Sequence, residues 1–354
     1  MSINTMKAIK TIRTHSEPIN TLLICKNGNL VSGSLGRVVF YSKIKFEPIL
    51  RINEFKGLYI SHINELHKDN NFFLCHIGFK ILETSNDNKS YKVLFSFYER
   101  FMMNKSIEFK YKCITEEKKK ETKYSIFIST VYGINIFEES NIKNSDNKKE
   151  ERKEKEKSSE NKSNNNLTYN LIKKINENEL VYNIFQINNN CFVSTSNSVL
   201  ASGNNCLRFW SYPDMTNIKT INNLFCSSGI YSIILLKEQN LLLVGLEKIP
   251  KYLIRNYINN DRLNINGIAV INLVYKEVVQ FIETHNYIRS LLFTSNNFII
   301  AGSSFKLIQY KYNEGMIQKI SEKELFNYMN NVIVEVDQNI YATGSNNKLI
   351  IIIK

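Results

Sequence analysis

The chain alternates short apolar runs with short polar turns along most of its length. Ile19 to Cys25 and Leu30 to Ser34 form one pair of runs, and Ile288 to Phe293 and Phe298 to Gly302 form another. Such continuous apolar runs predict strands that are buried on both faces. Asn recurs in the turns, because it tolerates the positive φ of tight hairpins. These turns are Lys26-Asn27-Gly28, Asp69-Asn70-Asn71, Asn188-Asn189-Asn190, Glu238-Gln239-Asn240, Ser295-Asn296-Asn297 and Asp337-Gln338-Asn339.

A small-residue motif repeats at the end of these runs. It reads Val31-Ser-Gly-Ser34, Val244-Gly245, Ala301-Gly302-Ser303-Ser304 and Thr343-Gly344-Ser345. The interval is 42 residues from Gly203 to Gly245 and from Gly302 to Gly344, and 45 from Gly33 to Gly78. A period in the low forties is typical of a propeller blade. The chain divides into seven such units, which predicts an all-β, seven-bladed β-propeller of four-stranded antiparallel blades, as one domain over residues 1–354.

Three segments depart from the regular unit. The final unit, Val332 to Lys354, has only three strand-like runs, and we expect Met6 to Ile12 to supply the fourth strand and close the ring. Residues 140–166 are predicted to be a disordered low-complexity insertion, because they are nearly devoid of apolar side chains and mix eight basic with six acidic ones. Residues 247–266 are predicted to be a longer loop insertion.

Three units carry motifs of a known kind. The motifs are His15-Ser-Glu-Pro-Ile-Asn-Thr-Leu22 with Asn27 to Ser34, Thr284-His285 with Ala301 to Ser304, and Leu207-Arg-Phe-Trp-Ser211. They resemble a degenerate WD-repeat family β-propeller. The resemblance implies structural places for His15, His285 and Ser32 in the hydrogen-bonded set of His, Ser or Thr, Asp and Trp within each blade. Gly36 and Tyr41 stand near the places of the Asp and Trp, so the first unit departs from that set.

The sequence offers little material for catalysis. No P-loop, dinucleotide-binding glycine motif or nucleophile elbow occurs, so we expect no enzyme activity, no catalytic residue and no cofactor. One unit combines His62, His67, Cys75 and His76. Their spacing matches no standard zinc site, and adjacent strand residues face opposite sides, so we expect no metal.

The cysteines and the N-terminus bear on the compartment. The six cysteines form no C-x-x-C pair and lie in or beside apolar runs, which favours buried, reduced thiols. The N-terminus lacks the apolar stretch of a signal peptide, and no run is long enough to cross a membrane. We therefore expect a cytoplasmic protein, with the nucleus as the alternative.

The formal net charge of +13 is unevenly distributed. Residues 1–60 carry nine basic and three acidic side chains, and residues 251–320 carry eight and four. In a ring, these segments are separated by one blade, so a contiguous basic face is a hypothesis; lysine-rich codon usage is the other explanation. Such a face would attract RNA, acidic protein segments or anionic lipid. Its predicted members are Lys43, Lys45, Arg51, Arg255, Arg262, Arg289, Lys306 and Lys311.

A rigid ring with variable loops and few reactive groups favours a non-catalytic scaffold that binds other proteins in a multi-subunit complex. The alternatives are an RNA-associated assembly factor and a propeller that binds anionic lipid. No homo-oligomer is implied. Partner contacts are expected on the face where the first strands of the blades begin, although strand tyrosines also pack between blades. The predicted contact residues are His15, Glu17, His62, Tyr182, Tyr231, Tyr287 and Arg289.

Overall fold

The structure is a computed structural model of the 354-residue chain. It describes residues 6–55, 57–68, 71–114, 120–130, 133–140, 168–176, 179–198, 205–225, 230–249, 265–324 and 330–354. Every regular element in these ranges is a β-strand. The ring of seven blades with four antiparallel strands each confirms the predicted architecture.

The strands follow one another blade by blade along the chain. The strand β1 (Ala8–Ile12) precedes the first blade, which consists of β2 (Ile19–Ile24), β3 (Leu30–Ser34), β4 (Arg37–Tyr41) and β5 (Pro48–Ile52). The second and third blades consist of β6 (His62–Glu65), β7 (Asn71–Thr84), β8 (Tyr91–Ile114), β9 (Lys120–Thr130), β10 (Gly133–Ser140) and β11 (Thr168–Asn176).

The remaining blades are more regular. The fourth blade consists of β12 (Glu179–Asn188), β13 (Cys191–Ser198), β14 (Asn205–Ser211) and β15 (Asn217–Phe225). The fifth consists of β16 (Ile230–Leu236), β17 (Leu241–Ile249), β18 (Ile265–Asn272) and β19 (Glu277–Thr284). The sixth consists of β20 (Ile288–Phe293), β21 (Phe298–Ser303), β22 (Lys306–Asn313) and β23 (Met316–Glu324), and the seventh begins with β24 (Asn330–Asp337), β25 (Ile340–Ser345) and β26 (Ile350–Ile353).

The N-terminal strand completes the seventh blade, as predicted. Strand β1 pairs antiparallel with β26, with Ala8 opposite Ile353 and Ile12 opposite Ile350. Lys7 and Lys354 extend the pairing through two backbone hydrogen bonds of 2.8 and 3.0 Å. The two ends of the chain therefore share one sheet, and this pairing closes the ring.

The second and third blades share two long strands. The start of β7 pairs with β6, while residues 79–84 pair with residues 91–97 of β8. Residues 105–114 of β8 then pair with β9. Each of β7 and β8 thus contributes two strand segments, and one continuous six-stranded sheet replaces the two separate sheets that the repeat predicted.

The hydrophobic core lies between adjacent blades. In the described part of the chain, seven clusters of buried apolar side chains occur, and each combines strands of two neighbouring blades. Ile288 and Tyr310 of the sixth blade, for example, pack with Leu243 and Val270 of the fifth. Since burying one such side chain contributes roughly 1.5–3 kcal/mol, each interface is stabilised by several of these terms. This explains why the strands are apolar on both faces.

Four of the predicted turns, in four blades, contain a residue with the expected positive φ. Asn240, Asn297 and Asn339 have φ values of 54°, 62° and 61°, and Gly28 has a φ of 85°. Asn adopts this left-handed conformation more readily than most residues because its short side chain can hydrogen-bond locally.

Both predicted insertions differ from the expected boundaries. Ser140 is still part of β10 and pairs with Thr168, and residues 141–167 lie outside the described residues. The loop predicted at 247–266 is shorter, because β17 and β18 extend into it and pair Ile249 with Ile265. Residues 250–264 of that loop lie outside the described residues.

Candidate partner-binding channel

A β-bulge recurs near the start of the first strand of the blades. In the first blade Ile19 pairs with Ser34 and Thr21 with Gly33, so Asn20 is the extra residue. The same one-residue bulge occurs in five other blades within the described chain. A bulge bends the strand and redirects the side chain of the extra residue. The residues at this position are Asn20, Asn104, Tyr182, Tyr231, Arg289 and Asn331.

In six blades the residue after the bulge, and in the second blade His62 at the start of β6, form a second ring of residues, which we call the inner ring. Each of its members pairs with a residue of the second strand in the same blade. Its members are Thr21, His62, Lys105, Asn183, Ser232, Ser290 and Val332. All seven line one cavity of about 290 Å³, together with Asn20, Tyr182, Arg289 and Asn331. The cavity is therefore the mouth of the central channel, at the end where the first strands begin.

The recurring glycine of the second strand leaves room for the inner ring and for the next blade. A Cβ atom at Gly33 would lie 2.7 Å from Thr21 Cγ2 and 2.9 Å from Ile60 Cγ2 of the second blade. A Cβ at Gly344 would lie 2.7 Å from Ile19 Cγ2 of the first blade. The small-residue motif is thus explained by close approach between blades.

Two glycines used in the sequence period are not equivalent to these. Cys75 pairs with His62 and Thr195 pairs with Asn183, in the register that Gly33 has with Thr21. Gly78 and Gly203 therefore do not hold the equivalent places. The interval from Gly302 to Gly344 joins equivalent positions, whereas the interval from Gly203 to Gly245 does not, because Thr195 holds the equivalent place in the fourth blade.

Side chains at the bulge position connect neighbouring blades. The Asn331 amide donates to the backbone oxygen of Ile19 at 3.0 Å, and the guanidinium of Arg289 donates to Asn331 Oδ1 at 2.9 Å. The Asn20 amide makes the matching contact to Ile60 at a long 3.5 Å. These three contacts join the sixth, seventh, first and second blades in sequence, so they stabilise this part of the channel mouth.

The structure brings together three of the predicted contact residues. His62, Tyr182 and Arg289 line the channel mouth. Tyr287 lies next to it, with the Arg289 guanidinium 5.1 Å from its ring centroid, which is a cation–π contact. Glu17 is half-buried in the link before β2. For Tyr231 the structure describes the backbone only, at the bulge of the fifth blade.

His15 is a structural residue, which corrects its assignment as a partner contact. It is only 8% exposed, and its two ring nitrogens lie 2.5 Å from Ser32 Oγ and 2.7 Å from Ser34 Oγ. The hydroxyl of Tyr41 lies 3.1 Å from Ser32 Oγ and so extends this network where the family resemblance implied a Trp. Burial, with a smaller contribution from Arg37, lowers the His15 pKa to about 4.

The other blades keep less of this set. Trp210 Nε1 donates to Ser194 Oγ at 2.8 Å in the fourth blade, inside the protein. His285, for which the resemblance implied a similar structural place in the sixth blade, is exposed instead. A hydrogen-bonded set of this kind is therefore most complete in the first blade.

The channel mouth carries two groups with strongly shifted pKa values. Burial lowers the Lys105 pKa to about 8. Burial, together with the nearby charge of Lys105, lowers the His62 pKa to about 3, so this imidazole is neutral at pH 7. Its Nδ1 atom lies 3.3 Å from Ser106 Oγ of the third blade. Sequence reasoning missed Lys105, Asn20 and Asn331, although all three sit at or beside the same offset from the start of a strand.

Exposed apolar side chains surround the mouth. Leu35 and Phe305 occupy the turns after the second strands of the first and sixth blades, and Tyr59 precedes the first strand of the second blade. They are 38%, 41% and 41% exposed. Leu35 and Tyr59 also form an isolated β-bridge. Because second strands end where first strands begin, these side chains belong to the same face as the channel mouth.

The predicted basic face is not one surface, which corrects that hypothesis. Lys43 and Lys45 follow β4, whereas Lys306 begins β22. Both strands are the third strands of their blades and run in the same direction across the ring. The end of one and the start of the other therefore lie on opposite faces of the propeller. Lys306 is also paired with Glu322 at 3.1 Å. Arg51 and Lys311 are exposed on the first and sixth blades, and Arg255 and Arg262 lie outside the described residues.

Within the described residues, no three His, Cys, Asp or Glu side chains are grouped so that they could hold a metal ion. The side chains of Cys75 and His76 are not described. His67 instead bonds Glu108 Oε1 at 2.6 Å and stacks on Tyr124. In the described ranges, no helix is long and apolar enough to cross a membrane.

Comparison with solved structures finds chains that share the overall fold. A chain from the crystal structure of the mitotic checkpoint complex aligns with a TM-score of 0.68 and 10% identity, over 98% of this chain and 91% of that chain. Sqt1 from Saccharomyces cerevisiae aligns with a TM-score of 0.63 and 12% identity, over 97% and 85%. No protein-family profile and no curated protein sequence matches. At such low identity the similarity shows the fold alone.

Proposed function

We propose that this protein is a non-catalytic scaffold that binds a segment of a protein partner across the mouth of its central channel. The observation that carries the proposal is the ring of bulged residues. In four blades the bulged residue of the first strand presents a polar or aromatic side chain to the same cavity; these residues are Asn20, Tyr182, Arg289 and Asn331. Bulges are enriched next to functional sites because they redirect a side chain.

The chemistry of this face fits a protein partner. Leu35, Tyr59 and Phe305 provide exposed apolar surface beside the polar mouth. Tyr and Arg are over-represented among the residues that contribute most to binding at protein interfaces, and Tyr182, Tyr287 and Arg289 lie at or beside the mouth. One of the two aligned structures is a chain of a multi-protein complex, which agrees with a scaffold role.

Affinity purification with matched variants tests this proposal. The double variant Leu35→Ser/Tyr59→Ser removes two rim side chains, and Ile44→Ser is the control, because Ile44 is 87% exposed in the turn at the opposite end of the first blade. We expect the wild type and Ile44→Ser to retain the same set of proteins from native cells, and the double variant to lose it. Equal retention by all three would place the interface elsewhere and reject the proposal.

An RNA-associated assembly factor is the second candidate, and the net charge of +13 favours it. Lys43, Lys45 and Arg51 are exposed on the first blade, so they are available for phosphate contacts. The same purification separates the two functions when it is repeated with nuclease and at high salt. Phosphate binding weakens steeply as salt rises. Partners that vanish under both treatments would favour RNA, and partners that remain would favour the scaffold.

A further inference from the structure

The inner ring holds a lysine, Lys105, whose charge is not balanced by any described residue of the cavity wall. Lys105 lines the channel mouth, half-buried, and none of the described residues that line the cavity is Asp or Glu. Its ammonium group makes no ion pair or hydrogen bond in the described part of the chain. An ammonium group carries three donors, so this arrangement leaves all three to solvent or to a ligand.

Two other partly buried lysines of the described chain have a carboxylate nearby. Lys80, with a side chain that is 12% exposed, has Glu54 at 3.8 Å. Lys306 has Glu322 at 3.1 Å. Buried charges in proteins are generally paired because their desolvation is costly. Lys105 at the channel mouth does not follow this rule. Burial lowers its pKa to about 8.

Two further features of the mouth point to an anionic ligand. Arg289 is a second cation lining the same cavity. The cavity of about 290 Å³ exceeds by far the ~10–15 Å³ that one water needs, so it can admit a small charged group.

We infer that the channel mouth binds an oxyanion, the carboxylate or phosphate group of a partner segment, with Lys105 as the direct counter-charge and Arg289 as a second donor. The inference rests on the proposed scaffold function, because it names the chemistry of the group that the partner inserts. A charge-assisted hydrogen bond to such a group is stronger than a neutral one. The ligand would therefore supply the negative charge that the cavity wall lacks.

Titration calorimetry with two small probes tests this inference. Inorganic phosphate and glutarate are titrated into the full chain at constant ionic strength, with sodium chloride as the reference salt. The variant Lys105→Met removes the ammonium group, and Lys311→Met is the matched control, because Lys311 is an exposed lysine outside the cavity. We expect saturable binding to the wild type and to Lys311→Met, and binding at least about tenfold weaker in Lys105→Met. Lys105→Arg is expected to keep the binding.

The outcomes are separable. Binding of phosphate alone would assign a phosphorylated partner, binding of glutarate alone an acidic side chain, and binding of both a general oxyanion site. No saturable binding of either probe, or equal binding by Lys105→Met with an unchanged circular dichroism spectrum, would overturn the inference. Retention of partners by the wild type would then still support the scaffold. Conversely, anion binding without any partner would sustain the site and reject the scaffold.

Discussion

Replacing Gly33 by Ala tests whether the small-residue motif exists to let blades approach one another. The added Cβ would lie 2.7 Å from Thr21 Cγ2, 2.9 Å from Ile60 Cγ2 and 3.1 Å from Ile63 Cδ1. Ile60 and Ile63 are fully buried members of the core between the first two blades. They can yield only by moving against their own neighbours, because protein interiors are close-packed.

The magnitude follows from two opposing effects. Overpacking a core of this kind costs about 1–3 kcal/mol. The loss of unfolded-state entropy on replacing Gly by Ala returns about 0.4–1 kcal/mol, which leaves a net destabilisation of roughly 0.5–2 kcal/mol. An unfolding entropy of about 2.1 cal/mol/K per residue over 354 residues is roughly 0.74 kcal/mol/K. The expected fall in Tm is therefore about 1–3 °C.

Differential scanning calorimetry measures this shift, and a double-mutant cycle identifies its cause. Thr21→Ser removes Cγ2, the nearest atom, and should by itself cost about 0.5–1.5 kcal/mol for one buried methyl group. In that background, Gly33→Ala should cost less than it does in the wild type, by about 0.5 kcal/mol or more. An unchanged or raised Tm in the single variant, or an identical loss in both backgrounds, would refute the steric explanation.

Two further predictions concern buried polar groups. Trp210→Phe removes the hydrogen bond from Nε1 to Ser194 Oγ inside the fourth blade. It should lower the free energy of unfolding, measured by chemical denaturation, by about 1–3 kcal/mol. The double variant Trp210→Phe/Ser194→Ala should recover part of that loss, because it also removes the unpaired hydroxyl. The pKa values of His15 and His62 in the folded protein are about 4 and about 3, below the ordinary 6.5. As the pH drops below 6.5, the unfolded chain therefore binds more protons than the folded protein. The free energy of unfolding should fall in that pH range. His62→Asn should flatten the dependence of Tm on pH between about 5 and 6.5, above the range where carboxylates titrate, and a slope equal to that of the wild type would contradict this assignment.

The fold was predictable because its signals are local. Turns such as Glu238-Gln239-Asn240 and apolar runs such as Phe298 to Gly302 determine where strands start and stop, whatever surrounds them. The pairing of β1 with β26 was also predictable, since a unit with three strands leaves one sheet edge open. The equivalence of Cys75 with Gly33 was not, because it depends on how β7 continues through two strand segments.

The candidate site was predicted only in part. Tyr182 and Arg289 were predicted from their positions near the start of first strands and from their residue types, and both lie at the channel mouth. Lys105 and Asn331 were missed, because a bulge shifts the facing of a strand by one residue and leaves no distinctive mark in the sequence. His15 was misassigned as a surface contact, since its burial depends on Ser32 and Ser34 of the neighbouring strand.

By itself, the sequence determined the number of blades, the order of the strands and the closure of the ring, because periodic burial and turn chemistry act over a few residues. Tertiary structure alone decided which side chains meet. Lys43 and Lys306 looked like members of one basic face but lie at opposite ends of their blades, whereas His62 and Lys105, 43 residues apart, share one cavity. Which side chains lie close together around the ring depends on the strand register and the bulges of all seven blades. The side chains of His62 and Lys105 are half-buried at the channel mouth only when every blade is folded.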